Sequence, residues 1–290
     1  MSLVPLALVV IAAFIHATWN LLAKRAAAAG VAFVFAYNLV ACIAYLPLVI
    51  WLLVTREQIW SWPIALCLLA SAVIHLGYTL CLQRGYQVAD LSVVYPIARG
   101  SGPLMSSIGA FILLQEPPTY LGVLGLVAVV TGIGCISTQG NLTAFRQPKS
   151  QEGARWGLGT GTLIAAYTVV DGYGVKVLGI HPVLLDWSSN FLRFFMMAPL
   201  VLKNIAHARE RMKGYWWLAV GVGLFSPLSY ILVLTAVDMG APLSLVAPAR
   251  EMSMMIGAIF GMLILHEPVN IWRVVGCATI IAGVVLLGAA

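Results

Sequence analysis

Two arginines stand in stretches that otherwise hold almost no charge. Arg99 follows Leu91-Ser92-Val93-Val94-Tyr95-Pro96-Ile97-Ala98, and Arg250 follows Leu243-Ser244-Leu245-Val246-Ala247-Pro248-Ala249. A guanidinium presents a planar fork of donors that matches carboxylates and phosphates, so the chemistry on offer is recognition of an anion. Glu251 follows Arg250, whereas Gly100 follows Arg99. Two readings stand. The arginines bind an acidic group of a ligand, or they are structural, with Arg250 held by Glu251 or by a facing acid such as Asp171. Arg99 has no obvious fixed anion beside it. Arg250→Ala is therefore expected to harm folding more than Arg99→Ala, because it would strand Glu251.

Other polar and aromatic residues recur at helical spacing, which places each set on one helix face. His16 and Asn20 flank Trp19; His75 precedes Tyr78; Tyr167 precedes Asp171; Asp186, Asn190 and Arg193 form a longer series. The last set reads as a ladder that satisfies itself within its helix. Asn38, Asn190, Tyr95 and Tyr230 add to the polar groups in apolar surroundings. Each could be a buried group with its own partner. Together, Trp19, Asn20, Asn38, His75, Tyr78, Tyr95, Arg99, Tyr167, Asp171, Asn190, Tyr230, Arg250 and Glu251 would line a pocket for a small polar, anionic or zwitterionic solute. His75, Asp171 and Glu251 are the members able to exchange a coupling proton, although nothing in the sequence requires coupling.

The composition says what must position these groups. Of the 290 residues, 61% are apolar or aromatic and the mean hydropathy is +0.97. Only 9% are charged, against roughly 25% in an ordinary soluble domain. A water-soluble globule with that balance would expose a greasy surface. A net charge of +6, thinly spread, is too little for a nucleic-acid track. The five cysteines all lie in apolar runs without framework spacing. An integral membrane protein remains, and the lack of short alternating segments makes its spans helices. The first apolar run has no positive leader and no small-residue cleavage site, and it reads as a span.

Breaks at charges and turn residues divide the chain into ten spans, near 3–23, 31–54, 63–83, 91–114, 120–138, 157–177, 183–202, 215–236, 242–265 and 270–289. The connections after alternate spans, beginning with the first, together with the span ends beside them hold 11 of the 16 basic residues, while the other side holds only Arg56 and Lys176. By the positive-inside rule the basic side is cytoplasmic, which puts both termini outside.

The chain also matches itself. At an offset of 152, Asn38 falls on Asn190, Tyr78 on Tyr230, and Leu91, Ser92, Val94 and Pro96 on Leu243, Ser244, Val246 and Pro248. One residue is then lost, and at 151 Arg99 falls on Arg250, Glu116-Pro117 on Glu267-Pro268, and Gly125 and Gly132 on Gly276 and Gly283. Two units follow, 1–138 and 157–290, joined by a polar linker at 139–156. Five spans per unit is an odd number, so the second unit enters the membrane inverted, as in secondary transporters with a site near the midplane. Each arginine lies about 12 Å into its span from opposite faces, close to the middle of a core about 30 Å thick. Glu116 and Glu267 read as caps for the next span, and the four glycines as points of close helix packing.

The run from Ala89 to Gly100, then Leu114-Gln115-Glu116-Pro117, Gly125 and Gly132, resembles the EamA-type drug/metabolite transporter superfamily, and the second copy repeats the likeness from Ala241 to Glu251, at Leu265-His266-Glu267-Pro268 and at Gly276. The resemblance implies an all-α carrier of two inverted five-helix repeats around a central cavity, exporting or exchanging a small metabolite. Members carry amino acids, sugars, nucleotide sugars, sugar phosphates and cations, so the substrate stays open. They are usually drawn with cytoplasmic termini, and the charge count here says the reverse.

A secondary transporter in a bacterial inner membrane is therefore expected. Its partners are a small-molecule substrate, the lipid bilayer and, if coupled, a proton, with no nucleic acid and no obligatory protein partner. The alternatives are an importer or antiporter of a phosphorylated or phosphonate-type metabolite, and a membrane-embedded enzyme. No His-x-x-Glu-His, Gly-x-Ser-x-Gly or Walker motif is present, so neither enzymatic activity nor a cofactor is expected.

Overall fold

The computed structural model describes residues 1–56, 60–88, 91–141, 143, 150–264 and 270–290. The described residues are almost entirely helical and contain no strand. In chain order the helices are α1 (Leu3–Arg25), α2 (Val31–Thr55), α3 (Trp62–Val88), α4 (Leu91–Leu113), α5 (Tyr120–Thr138) and α6 (Ser150–Lys176), then α7 (Pro182–Leu202), α8 (Ile205–Arg211), α9 (Trp216–Asp238), α10 (Leu243–Arg250), α11 (Met252–Ile264) and α12 (Ile271–Ala289). A 3-10 turn, Ala27–Ala29, joins α1 to α2.

By length and composition, seven helical stretches among the described residues can cross a membrane: Leu3–Arg25, Val31–Thr55, Trp62–Leu82, Tyr120–Thr138, Trp216–Asp238, Leu243–Phe260 and Ile271–Ala289. The helices α4, α6 and α7 are as long, but they carry the polar residues singled out above. Large apolar side chains cover the outside, among them Trp62 at 83% exposure, Tyr120 at 79% and Leu113 at 66%. Such a surface suits lipid rather than water.

Boundaries differ from the sequence expectation in four places. Helix α3 runs on to Val88, past the expected end at 83. Helix α6 begins at Ser150, inside the stretch expected to be linker, with Glu152 in its first turn, where the helix dipole favours an acid. The connection 203–214 holds the short α8, capped by Asn204, whose side chain accepts from the His207 N–H at 3.2 Å. The span expected at 242–265 is broken at Glu251, while its copy α4 runs unbroken through Pro96 and Pro103.

Helices α5 and α12 pack antiparallel through the four glycines. A Cβ on Gly125 would stand 2.8 Å from the Gly283 carbonyl oxygen, and one on Gly132 would stand 2.8 Å from that of Gly276. The reverse contacts are as close, at 2.9 Å and 2.8 Å. Only glycine lets two backbones approach this closely. Since Gly125 is the copy of Gly276 and Gly132 the copy of Gly283, a two-fold relation exchanges the two contacts.

Glu116 does not cap the next span as expected. Thr119 does that, its Oγ1 accepting from the Gly122 N–H at 3.1 Å. The Glu116 carboxylate reaches the other half of the chain: Oε1 accepts from the Leu243 N–H at 2.7 Å and Oε2 from the Ser244 N–H at 2.9 Å, at the start of α10. Lys176, at the end of α6, donates to Oε1 at 2.6 Å. The chain ends share this face, since Gly122 lies beside both Leu245 and Ala290, and the Met1 ammonium donates to the Gly288 carbonyl at 2.9 Å. Glu267-Pro268, Ala89, Asp90 and His266 lie outside the described residues.

Candidate functional site

Helix α4 carries Tyr95 and, one turn on, Arg99. The α10–α11 junction carries Arg250 and Glu251. All three charged side chains are buried, with 8%, 4% and 0% exposure for Arg99, Arg250 and Glu251. The absence of a fixed anion beside Arg99 is overturned: Arg99 Nη2 lies 2.7 Å from Glu251 Oε2. Arg99 also donates to the Ser253 hydroxyl at 3.3 Å. Arg250 Nη2 is 3.8 Å from Glu251 Oε1, beyond hydrogen-bond range. Adjacent residues point to different sides of a helical turn, so the neighbour in sequence is the weaker partner in space. The expected order of folding damage reverses with it, because Arg99→Ala is the change that strands Glu251.

Asp171 does not hold Arg250 directly. Its Oδ2 accepts from the Tyr230 hydroxyl at 2.6 Å, and the Arg250 guanidinium lies 5.9 Å from the centroid of the Tyr230 ring. Tyr230 thus links the acid to the arginine. His75 stacks on Tyr167 at 3.9 Å between centroids and meets Tyr230 edge-on at 5.8 Å. Tyr78 meets Tyr167 edge-on at 5.8 Å. The His75 Nδ1 pairs with its own helix, at 2.9 Å from the Ser71 carbonyl. Helices α3, α4, α6, α9, α10 and the head of α11 therefore bring His75, Tyr78, Arg99, Tyr167, Asp171, Tyr230, Arg250 and Glu251 into one polar centre.

Other expected members lie elsewhere or are engaged differently. Trp19 donates to the Ser229 hydroxyl at 3.3 Å and packs edge-on against His16. Asn20 is exposed and donates to the His16 carbonyl at 3.0 Å, so it serves its own helix. Asn38 is fully buried, with Nδ2 4.0 Å from Met197 Sδ on α7. Asn190 belongs to the ladder: it donates to Asp186 Oδ2 at 2.9 Å and accepts from Arg193 at 2.7 Å. Tyr95, half-buried against the core, stays with the centre, close enough to Arg99 and Glu251 to interact with both electrostatically. Serines are what the sequence reading missed. Ser253 meets Arg99, and Ser71 bonds Ser189 at 3.3 Å. A small hydroxyl in an apolar helix gives no pattern that separates these from ordinary packing.

Several buried polar atoms in the centre have no hydrogen-bond partner: Nε of Arg99, Nε of Arg250 and Oδ1 of Asp171. Burial without a partner is costly for such groups. Among the described residues, no group of three His, Cys, Asp or Glu side chains is placed to hold a metal. A separate apolar groove of about 420 Å³ lies on the other side of α4, lined by Pro96, Ile97, Gly100, Leu104, Val130 and Gly134 among others.

A long-helix bundle with a lipid-type exterior and a buried charged centre defines a multi-pass integral membrane protein. The family model described as the EamA-like transporter family matches residues 3–138 and again 151–289, and the chain belongs to that family. Transport across a membrane is the family's activity. A curated relative, the probable 4-amino-4-deoxy-L-arabinose-phosphoundecaprenol flippase subunit ArnE of Enterobacter sp. (strain 638), is 32% identical over 93 residues, which is 31% of this chain and 83% of ArnE. A solved structure, titled only as the crystal structure of a protein, shares the fold with a TM-score of 0.72 at 12% identity, over 97% of this chain and 98% of its own.

Proposed function

We propose that this protein is a secondary transporter of a small anionic or zwitterionic metabolite, working by alternating access across ten spans in two inverted repeats. The observation that carries this is the charge of the centre. Two guanidiniums share one carboxylate, and Arg250, 4% exposed, stands 3.8 Å from it with an unpartnered Nε. A carboxylate or phosphate of the solute would complete the set. The antiparallel crossing of α5 and α12, copies of one another, supports the inverted arrangement. His75, Asp171 and Glu251 are the groups through which a proton would couple, and no enzymatic step is required of the centre. A bacterial inner membrane suits the reading.

A phosphate ester carried on a lipid is a second reading. It is favoured by the apolar groove on the far side of α4 from Arg99, which would suit a hydrocarbon tail, and by the ArnE relative, a flippase subunit for a phosphoundecaprenol-linked sugar. The test is uptake and exchange in liposomes holding the purified protein. Wild type should move a radiolabelled amino acid or sugar phosphate down its gradient, and Arg250→Ala should move it far less. Equal flux by wild type and Arg250→Ala would overturn the anion site. Chemical conversion of the solute would instead reveal an enzyme.

A further inference from the structure

We infer that Glu116 is a positioning residue for the transport cycle: a bolt that ties the first repeat to the start of α10, closes the face bearing the chain ends, and is released when that face opens. The inference rests on the transport reading above. Its geometry is a single carboxylate, 8% exposed, that receives three donors from two other elements. Two are the Leu243 and Ser244 N–H groups at 2.7 Å and 2.9 Å, and the third is the Lys176 ammonium at 2.6 Å. The Ser107 hydroxyl of α4 donates to the Ser244 carbonyl at 3.0 Å, a second tie to the same turn. Together α4, its following turn and the end of α6 grip the helix that delivers Arg250 and Glu251 to the centre. Any motion that parts α10 from α4 on this face must break these bonds.

The sequence supplies the second half of the argument. Each participant recurs at the repeat offset: Glu116 as Glu267, Lys176 as Lys24, Leu243-Ser244 as Leu91-Ser92. The repeat assigns the copied set to the other face, where Lys24 lies in the last turn of α1 and Leu91-Ser92 begin α4. One set of bonds per face is what alternating access needs, since each bolt holds its own face shut while the other is open. A cap that served folding alone would not need a lysine from a third helix copied with it.

The experiment measures distance rather than flux, so it is independent of the substrate. Spin labels go on cysteines introduced by Leu113→Cys and Met239→Cys, two exposed positions on this face, after the five native cysteines are replaced, and distances are read by electron–electron resonance in nanodiscs. Glu116→Gln should add a longer-distance population. Lys176→Gln, which leaves the backbone bonds in place, should add a smaller one and covers the case in which Glu116→Gln folds poorly. Lys24→Gln should not lengthen this pair. Wild-type distances in the folded variants, or the same lengthening with Lys24→Gln, would overturn the bolt. Lengthening in a protein that moves no solute would keep the bolt and fail the transport reading.

Discussion

Arg99 and Glu251 come from the two sequence-related halves of the chain and meet as an ion pair of 2.7 Å deep in the bundle. Glu251 stands where the first half has Gly100, so only one of the two copies brings an acid to the centre. It sits at the break between α10 and α11, which turns its carboxylate towards Arg99 and leaves Arg250 the less satisfied arginine.

Arg99 and Arg250 should therefore separate in mutagenesis. Breaking a buried pair by removing one partner costs about 3–5 kcal/mol, so Arg99→Ala should lower the melting temperature in detergent sharply. Arg250→Ala should melt closer to wild type but bind solute about one to two decades more weakly, the equivalent of roughly 1.5–3 kcal/mol for a charged hydrogen bond. Arg250→Lys should not restore full affinity if the contact is a two-pronged one. Melting curves and solute titrations check both halves of this expectation.

Glu251→Gln removes the carboxylate that the two arginines share. The variant should be less stable than wild type, and small carboxylates or inorganic phosphate should raise its melting temperature by more than they raise that of wild type. Equal thermal shifts for both proteins would mean that added anions do not reach the arginines.

Gly132 and Gly134 offer a matched pair on α5. A Cβ on Gly132 would fall 2.6 Å from Ile280 Cγ1 and 2.8 Å from a backbone oxygen, whereas one on Gly134 has nothing within 4 Å. Overpacking of this kind costs about 1–3 kcal/mol. Gly134→Ala should be neutral or stabilising by about 0.5–1 kcal/mol, from helix propensity. Thermal unfolding of the two alanine variants measures the difference.

The Glu116 bonds should fail in acid. Burial alone would push this carboxyl up, but the bonds from Lys176 and from the Ser244 and Leu243 N–H groups outweigh it and hold the group below its ordinary value of 4.5. A carboxyl depressed in the folded state adds stability above its unfolded pKa, and that stability is lost as pH falls through the folded value. Wild type should thus melt above Glu116→Gln at pH 7, and the gap should close as pH falls below about 4.5. Parallel melting curves of the two proteins across that range would count against it.

Orientation remains a proposal from charge bias. A cysteine placed in 139–156 should resist an impermeant thiol reagent added to intact cells, while one at the C-terminus should label. The opposite labelling pattern would place the termini in the cytoplasm.

Much of this architecture was open to reading from the chain alone. The near absence of charge forces a lipid exterior. The helical period follows from the need to satisfy backbone groups in lipid, and the repeat of Pro96-Ile97-Ala98-Arg99 as Pro248-Ala249-Arg250 marks duplication. The four glycines were also legible as points of close helix packing, because only the absence of a side chain permits such approach, but that they join α5 to α12 was not. What the chain could not show is which acid meets which base. Sequence adjacency offered Glu251 to Arg250, capping logic offered Glu116 to the next helix, and Asp171 stood as the facing acid for Arg250. The folded molecule chose Arg99, the distant start of α10 and Tyr230 instead. The period of a helix fixes which residues share a face, and it carries no information about the helix brought opposite. Ion pairs and caps between halves arise only when packing brings their donors and acceptors within about 3 Å.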